Sequence, residues 1–380
     1  MDFNIDVREL QEVMKLFAGL VKPNTGTVTS LIKVEAVPGE GVVFTGTDGV
    51  STLTYTSEES TVNSAKAFSG ALIFHKLHSF INSFKPWNEA FGAKDFHFIG
   101  EGRHITITTQ SVNTAGGVSD GKIKLKNEAY NLREKVYRFN ETLFIINSSI
   151  IQDAISKVIY AADKENKGNI ALTGMNINFK DNIYFAAGDG KVLSEYEINN
   201  TTDMEQGNYL LPSRFVLDLR RIISGNIQIH CDIQGSKFIM KFDNMEISCS
   251  LIVGDNFPDY RGMLETYSSS TVFDKESILT GLRSFFDIVS EEDHNRISVD
   301  VNSGKIFMST PEASLTIEDK NIENTVKFAF DVDCKKMAAS IDPIKDDQIV
   351  FKFTDSKTAL IFDSYKFKNQ KAIVMPIMGH

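Results

Sequence analysis

The sequence predicts an α+β protein built from repeated helix-and-sheet units, and three observations carry that expectation. Amphipathic stretches with a 3.6-residue period alternate with clusters of short period-two runs. The order helix, strands, helix, strands recurs three times along 380 residues. A chain of that length also exceeds what one hydrophobic core serves, so it should divide into several domains.

The first repeat opens at Asp6, a capping residue with Glu9 three places on, as in a capping box. Leu10, Val13, Phe17, Leu20 and Val21, with Met14 beside them, form the apolar stripe of the helix that follows. Strands are expected at 27–35, 41–45 and 51–56, the last two joined by the turn Thr47-Asp48-Gly49. A second stripe, Phe74, Leu77, Phe80, Ile81 and Phe84, should run until Pro86 stops it, with strands following near 96–99, 104–110 and 121–125.

The second repeat has a helix from about Ser148, with Ile151, Ala154, Ile155, Val158 and Ile159 inward. Strands are expected at 169–179, 183–187 and 191–198, and Asp189-Gly190 sits where Asp48-Gly49 sat before. Pro212 and Ser213 signal the next helix start, ahead of Val216, Leu219, Ile222 and Ile223. Three more strands are read at 227–233, 237–242 and 245–253. The last repeat starts at Asp274, with Ile278, Leu282, Phe285, Phe286 and Val289 inward. Strands at 296–301, 305–309, 313–317 and 325–330 lead to a helix with Cys334, Met337, Ala338 and Ile341, which ends at Pro343. Strands at 349–353, 359–363 and 371–375 finish the pattern of six helices on a mainly antiparallel framework.

Composition narrows the class. With 42% hydrophobic and 24% charged residues and only 8 prolines, the chain should fold. It shows no basic start followed by an apolar segment and no apolar run of about 18 residues, so a cytoplasmic location without a membrane role is expected. Cys231, Cys249 and Cys334 are widely spaced in apolar surroundings and read as buried thiols. The net charge is −10, and acids outnumber bases in each third of the chain, so no third is a basic DNA-binding domain. Charge alone does not separate a protein that meets DNA through a locally positive face from an ordinary acidic protein.

No phosphate-cradling glycine loop, paired-cysteine spacing or His-Glu-x-x-His motif is present. Asp48 and Asp189 each precede glycine, as hairpin turns favour, and a metal-dependent hydrolase built on either is the weakest reading. His75 and His78 share a helix face but have no third ligand placed by sequence, so no cofactor or metal is expected.

Three stretches change the reading. They are Ile183-Tyr-Phe-Ala-Ala-Gly-Asp-Gly-Lys-Val-Leu-Ser-Glu-Tyr196, Leu251-Ile-Val-Gly-Asp-Asn-Phe-Pro-Asp-Tyr-Arg-Gly-Met-Leu264 and Ala372-Ile-Val-Met-Pro-Ile-Met378. In the second, an apolar run should stop at Pro258 and pass into a linker anchored by Phe257 and Tyr260. In this order and at these positions the three resemble the bacterial-type DNA polymerase sliding clamp, the DNA polymerase III beta subunit family. Thr47-Asp48-Gly49 is similar to the family's Thr-Asp turn in the first third.

The resemblance implies a non-enzymatic processivity factor with a three-domain clamp fold. Its domains would be an N-terminal one at 1–135, a middle one at 136–265 and a C-terminal one at 266–380. A homodimer would form a ring around double-stranded DNA without reading its sequence. Helices lining the hole would then point Lys15, Lys22, His75, Lys76 and Lys157 toward DNA, together with Arg214, Arg221, Arg283, Lys335 and Lys336. Phe285, Ile288 and Val289, with Lys76 and Arg103 as complements, are the expected dimer contacts.

The family's hydrophobic pocket receives short peptides from the replicative DNA polymerase, the clamp loader and repair polymerases. Matching positions are Leu172, then Gly188, Gly190, Lys191, Val192 and Leu193 around the turn, and Pro258, Gly262 and Met263 in the linker. Ile373, Val374, Met375, Pro376, Ile377 and Met378 complete the set. Family members usually show Thr-Asp-Gly-His-Arg-Leu at the turn and close on Met-Pro-Met-Arg-Leu. Gly188-Asp-Gly-Lys-Val-Leu193 and Met375-Pro-Ile-Met-Gly-His380 stand here, and Gly262 marks a third missing arginine, so the polar rim is altered. The main competitor is a β-rich structural or scaffold protein, which explains the composition but not the three stretches in order.

Overall fold

The computed structural model describes residues 1–22, 27–57, 60–88, 90–128, 138–166, 168–199, 207–322 and 326–378. The chain divides into two compact units, Met1–Ser149 with Leu217–Ser250, and Ile150–Val216 with Leu251–His380. The boundary expected between residues 135 and 136 lies outside the described residues, as do Thr325 and His380.

In the first unit one eight-stranded sheet runs Phe144–Asn147, Gln228–Gln234, Lys237–Phe242, Met245–Ser250, Ser51–Ser57, Gly41–Thr47, Leu31–Val37 and Phe68–Ile73. It is continuous because Met245–Ser250 pairs antiparallel with Ser51–Ser57, bringing Ile247 opposite Leu53. The other sheet orders Val118–Lys126, His104–Val112, Asp95–Glu101, Asp2–Asp6 and Thr61–Val62, with Gly92–Ala93 also on His104–Val112. Asp2–Asp6 is a strand absent from the sequence reading; Phe3 and Ile5 alternate inward, and Phe3 stacks on Phe98 at 4.6 Å.

The second unit repeats the arrangement. Its eight-stranded sheet runs Gly207–Pro212, Gly174–Phe179, Asn182–Gly188, Val192–Asn199, Gln370–Val374, Leu360–Ser364, Gln348–Phe353 and Ser269–Asp274. A four-stranded sheet orders Ser314–Glu318, Lys305–Ser309, Arg296–Asn302 and Lys327–Asp333.

Seven α-helices occur among the described residues: α1 Val7–Ala18, α2 Phe74–Ile81, α3 Ser148–Val158, α4 Ser213–Ile222, α5 Arg261–Glu265, α6 Lys275–Arg283 and α7 Cys334–Ile341. Asp6 caps α1 by accepting from the amides of Arg8 and Glu9, while Val7, Leu10, Val13, Met14 and Phe17 are buried. The Glu9 carboxylate accepts from the Tyr55 hydroxyl at 3.0 Å, so the expected reciprocal box gives way to a tertiary bond. α2 ends at Ile81, short of Pro86, and Phe84 beyond its end packs against Phe80 of the helix and Phe96. α6 is also shorter than its apolar pattern, and Phe285 is buried in the turns that follow. α5 stands where a linker was expected, and the apolar run Leu251-Ile-Val253 is not a strand. The Ile252 amide does reach the Leu210 carbonyl at 2.9 Å.

Gly46 lets α1 lie close to its sheet: a Cβ there would stand 2.7 Å from the Phe17 ring and 2.9 Å from Val21. Gly46→Val should therefore cost about 1–3 kcal/mol by overpacking. Urea unfolding measures the loss, with faster amide exchange along α1 as its local signature; wild-type stability in the variant would contradict this packing.

Candidate functional site

Antiparallel pairing of Val192–Asn199 with Gln370–Val374 sets Leu193 opposite Ile373 and Glu195 opposite Lys371. Beside this seam the Asp189-Gly190 turn, the 257–264 segment and the end of the last strand enclose a cavity of about 180 Å³. Its walls are Leu172, Val192, Leu193, Ile373, Met375, Met263 and Pro258, with Tyr260 at one side. Gly188 and Gly190 complete the turn side, and Lys191 and Asp259 bring charge to an otherwise apolar lining. Such a cleft suits apolar side chains of a short peptide, and the two methionines give it an adaptable surface.

Local chemistry explains the walls. Asp189 Oδ1 accepts from the amides of Lys191 and Val192 at 2.8 Å each, and Gly190 supplies φ 84°. Asp48 accepts in the same way from Val50 and Ser51, with Gly49 at φ 93°. On the other side Phe257 and Tyr260 meet edge-on at 6.0 Å within a buried cluster that includes Leu193, Leu210, Leu264, Ile361 and Ile373. The Tyr260 hydroxyl donates to buried Glu195 at 2.6 Å, tying the linker to the sheet. The Arg261 guanidinium lies 3.6 Å over the Tyr184 ring and 4.0 Å from Glu195.

Ten of the residues expected in the pocket line this cavity, and five do not. Val374 is on the last strand between Ile373 and Met375, so the pleat turns it to the opposite, buried face. Gly262 faces open space. Pro376 leads the chain away: the Ile377 amide donates to the Asp331 carbonyl at 2.8 Å, and Ile377 and Met378 border a separate depression on the four-stranded sheet. Asp259 and Tyr260, not among the expected residues, also line the cavity. The aromatic pair around Pro258 was the available signal for Tyr260.

The expected cationic surface is thinner than the sequence suggested. Lys15, Lys22, Lys76, Arg214 and Arg221 are exposed, as is Arg220, which was not selected. Lys157 is 4% exposed, its ammonium 3.6 Å over the Tyr196 ring and 3.7 Å from Asp153, so it is not a surface cation. Arg283 pairs with Asp342 at 2.6 Å, Lys336 pairs with Asp189, and His75 and Lys335 are half-buried. Among the expected dimer contacts Arg103 and Ile288 are exposed and Val289 is half-buried, whereas Phe285, 1% exposed, belongs to the core of its own unit. The three thiols are buried; burial, followed by nearby Asp333, pushes Cys334 up to about 11.

The chain matches the family model described as the DNA polymerase III beta subunit, central domain, over residues 145–259. It is 22% identical over 255 residues to the beta sliding clamp of Chlamydia muridarum, covering 63% of this chain and 66% of that one, just under two thirds of the relative's length. The beta subunit of Streptococcus pyogenes DNA polymerase superposes over 100% of both chains with a TM-score of 0.85 at 15% identity. The Helicobacter pylori beta clamp, solved bound to a DNA ligase peptide, does so over 100% of both with a TM-score of 0.78 at 16% identity.

Burial holds the Glu195 carboxyl above its ordinary value of 4.5, against the pull of the Tyr260 hydroxyl, Lys371 and Arg261. The folded state thus binds this proton more tightly than the unfolded chain does. The group's stabilising contribution is complete below 4.5 and is lost as pH rises through its folded value. Glu195→Gln removes that loss, so its stability relative to wild type should grow as pH is raised from about 4.5 to neutrality. Urea midpoints across this range provide the test; an advantage that shrinks with pH would mean the carboxylate is favoured in place.

Proposed function

We propose that this chain is a replication processivity factor of the DNA polymerase III beta subunit family, which it matches in sequence at its central domain and in fold along its whole length. Two copies close a ring around duplex DNA, and the ring tethers the replicative polymerase through the groove beside the Leu193–Ile373 seam. The clamp loader uses the same groove, and the protein acts in the cytoplasm without catalysing a reaction of its own. Each copy contributes three domains, at 1–135, 136–265 and 266–380. The observation that carries the reading is the apolar groove, formed where the family-like turn, linker and C-terminal stretches converge. The Helicobacter pylori clamp, solved with a bound peptide, supports a peptide as its occupant.

Ring closure is assigned to strand edges. Val118–Lys126 ends one sheet and Ser314–Glu318 ends another, and open edges are templates for pairing with a second chain. Exposed Lys122 and Lys124 on the first face Glu312 and Glu318 near the second when two copies meet by a two-fold axis. That pairing leaves Phe285 in its core. DNA contact then rests on Lys15, Lys22, Lys76, Arg214 and Arg221, which position phosphates and read no bases.

Light scattering should give twice the chain mass, and a strict monomer or a trimer would contradict the ring. Leu193→Ala with Met263→Ala removes two groove walls without touching the proposed edges. The pair should weaken the cognate polymerase's clamp-binding peptide by roughly tenfold to several hundredfold in calorimetry, with the mass unchanged. Wild-type affinity in that variant would place peptide binding elsewhere.

A further inference from the structure

We propose that Lys336 is a positioning residue for the peptide groove, holding the groove's rim through Asp189, and not a cation offered to DNA phosphates. The inference rests on the groove reading above and adds to it a residue from a helix that supplies none of the groove's lining.

The rim is the turn that carries Gly188, Gly190, Lys191 and Val192, four of the lining positions. Gly188 and Val192 are buried, but the tip is open: Gly190 and Lys191 are exposed, and nothing lies within 4 Å of where a Gly190 Cβ would stand. One carboxylate oxygen of Asp189 is taken by the turn's amides, so it shapes the turn without tying it to anything else. The other accepts from the Lys336 ammonium, 147 positions away in sequence. The last strand meets the turn from another side, where Val192 pairs with Val374 and the Met375 amide donates to the Lys191 carbonyl at 2.8 Å.

Lys336 reaches the turn from a firm base. Asp333 caps α7 by accepting from the Lys336 amide at 3.0 Å, and Cys334, Met337, Ser340 and Ile341 are buried. The side chains of Lys336 and Asp189 are 30% and 20% exposed. A pair so placed is partly screened and adds little to global stability, but it selects one position for the rim before a peptide arrives. An ammonium engaged in this way is also a poor phosphate contact, which removes Lys336 from the cations expected to face DNA.

The experiment compares Lys336→Gln with Lys336→Arg, using the cognate polymerase's clamp-binding peptide. Lys336→Gln should weaken binding about fivefold, mostly through faster dissociation, and speed amide exchange at Lys191 and Val192 in the free protein. Lys336→Arg should restore both, and retention on circular DNA should stay at the wild-type level in every variant. Unchanged peptide affinity and rim exchange in Lys336→Gln would overturn the proposal, as would lost DNA retention with peptide binding intact. Leu193→Ala run in parallel separates the two readings. If it leaves peptide affinity untouched the groove reading fails, and the positioning claim is then decided by rim exchange alone.

Discussion

The groove proposed to bind peptides depends on one antiparallel seam, the five-residue register from Val192 opposite Val374 to Tyr196 opposite Gln370. It joins strands far apart in sequence into a single eight-stranded sheet. A slip of one residue would exchange Ile373 and Met375 for Val374 on the groove face and close the cavity. The same register sets Lys371 opposite Glu195, whose carboxylate holds Tyr260 and so the linker. Ladder, groove and linker are therefore consequences of a single pairing.

Much of this was legible in the sequence, because it lay in periodicity and turn chemistry. Asp6 and Asp274 cap their helices, and both Asp-Gly turns fold on their own amides. What was not legible depended on tertiary partners. Lys157 looks like a surface cation on a helix until Tyr196 and Asp153 cover it. Phe285 has helical spacing but lies past the end of α6. Val374 is a different kind of miss: strand alternation alone separates it from Ile373 and Met375, and motif matching concealed a rule the sequence already contained.

The altered groove rim also has a physical consequence. With Lys191, Val192 and Gly262 where the resembled family usually carries histidine or arginine, the peptide affinity proposed for this groove would come chiefly from apolar anchors, and would be less sensitive to salt than that of a rim of guanidinium groups. The modest set of exposed helix cations fits the proposed ring on DNA, since holding by topology needs attraction weak enough to slide.

The central claim is encirclement, and retention on DNA of defined topology tests it most directly. Protein placed by its loader on a covalently closed circle should persist at salt concentrations that strip electrostatic binders, and should leave once the circle is cut. Equal retention on closed and cut DNA, or loss from both at the same salt, would contradict it.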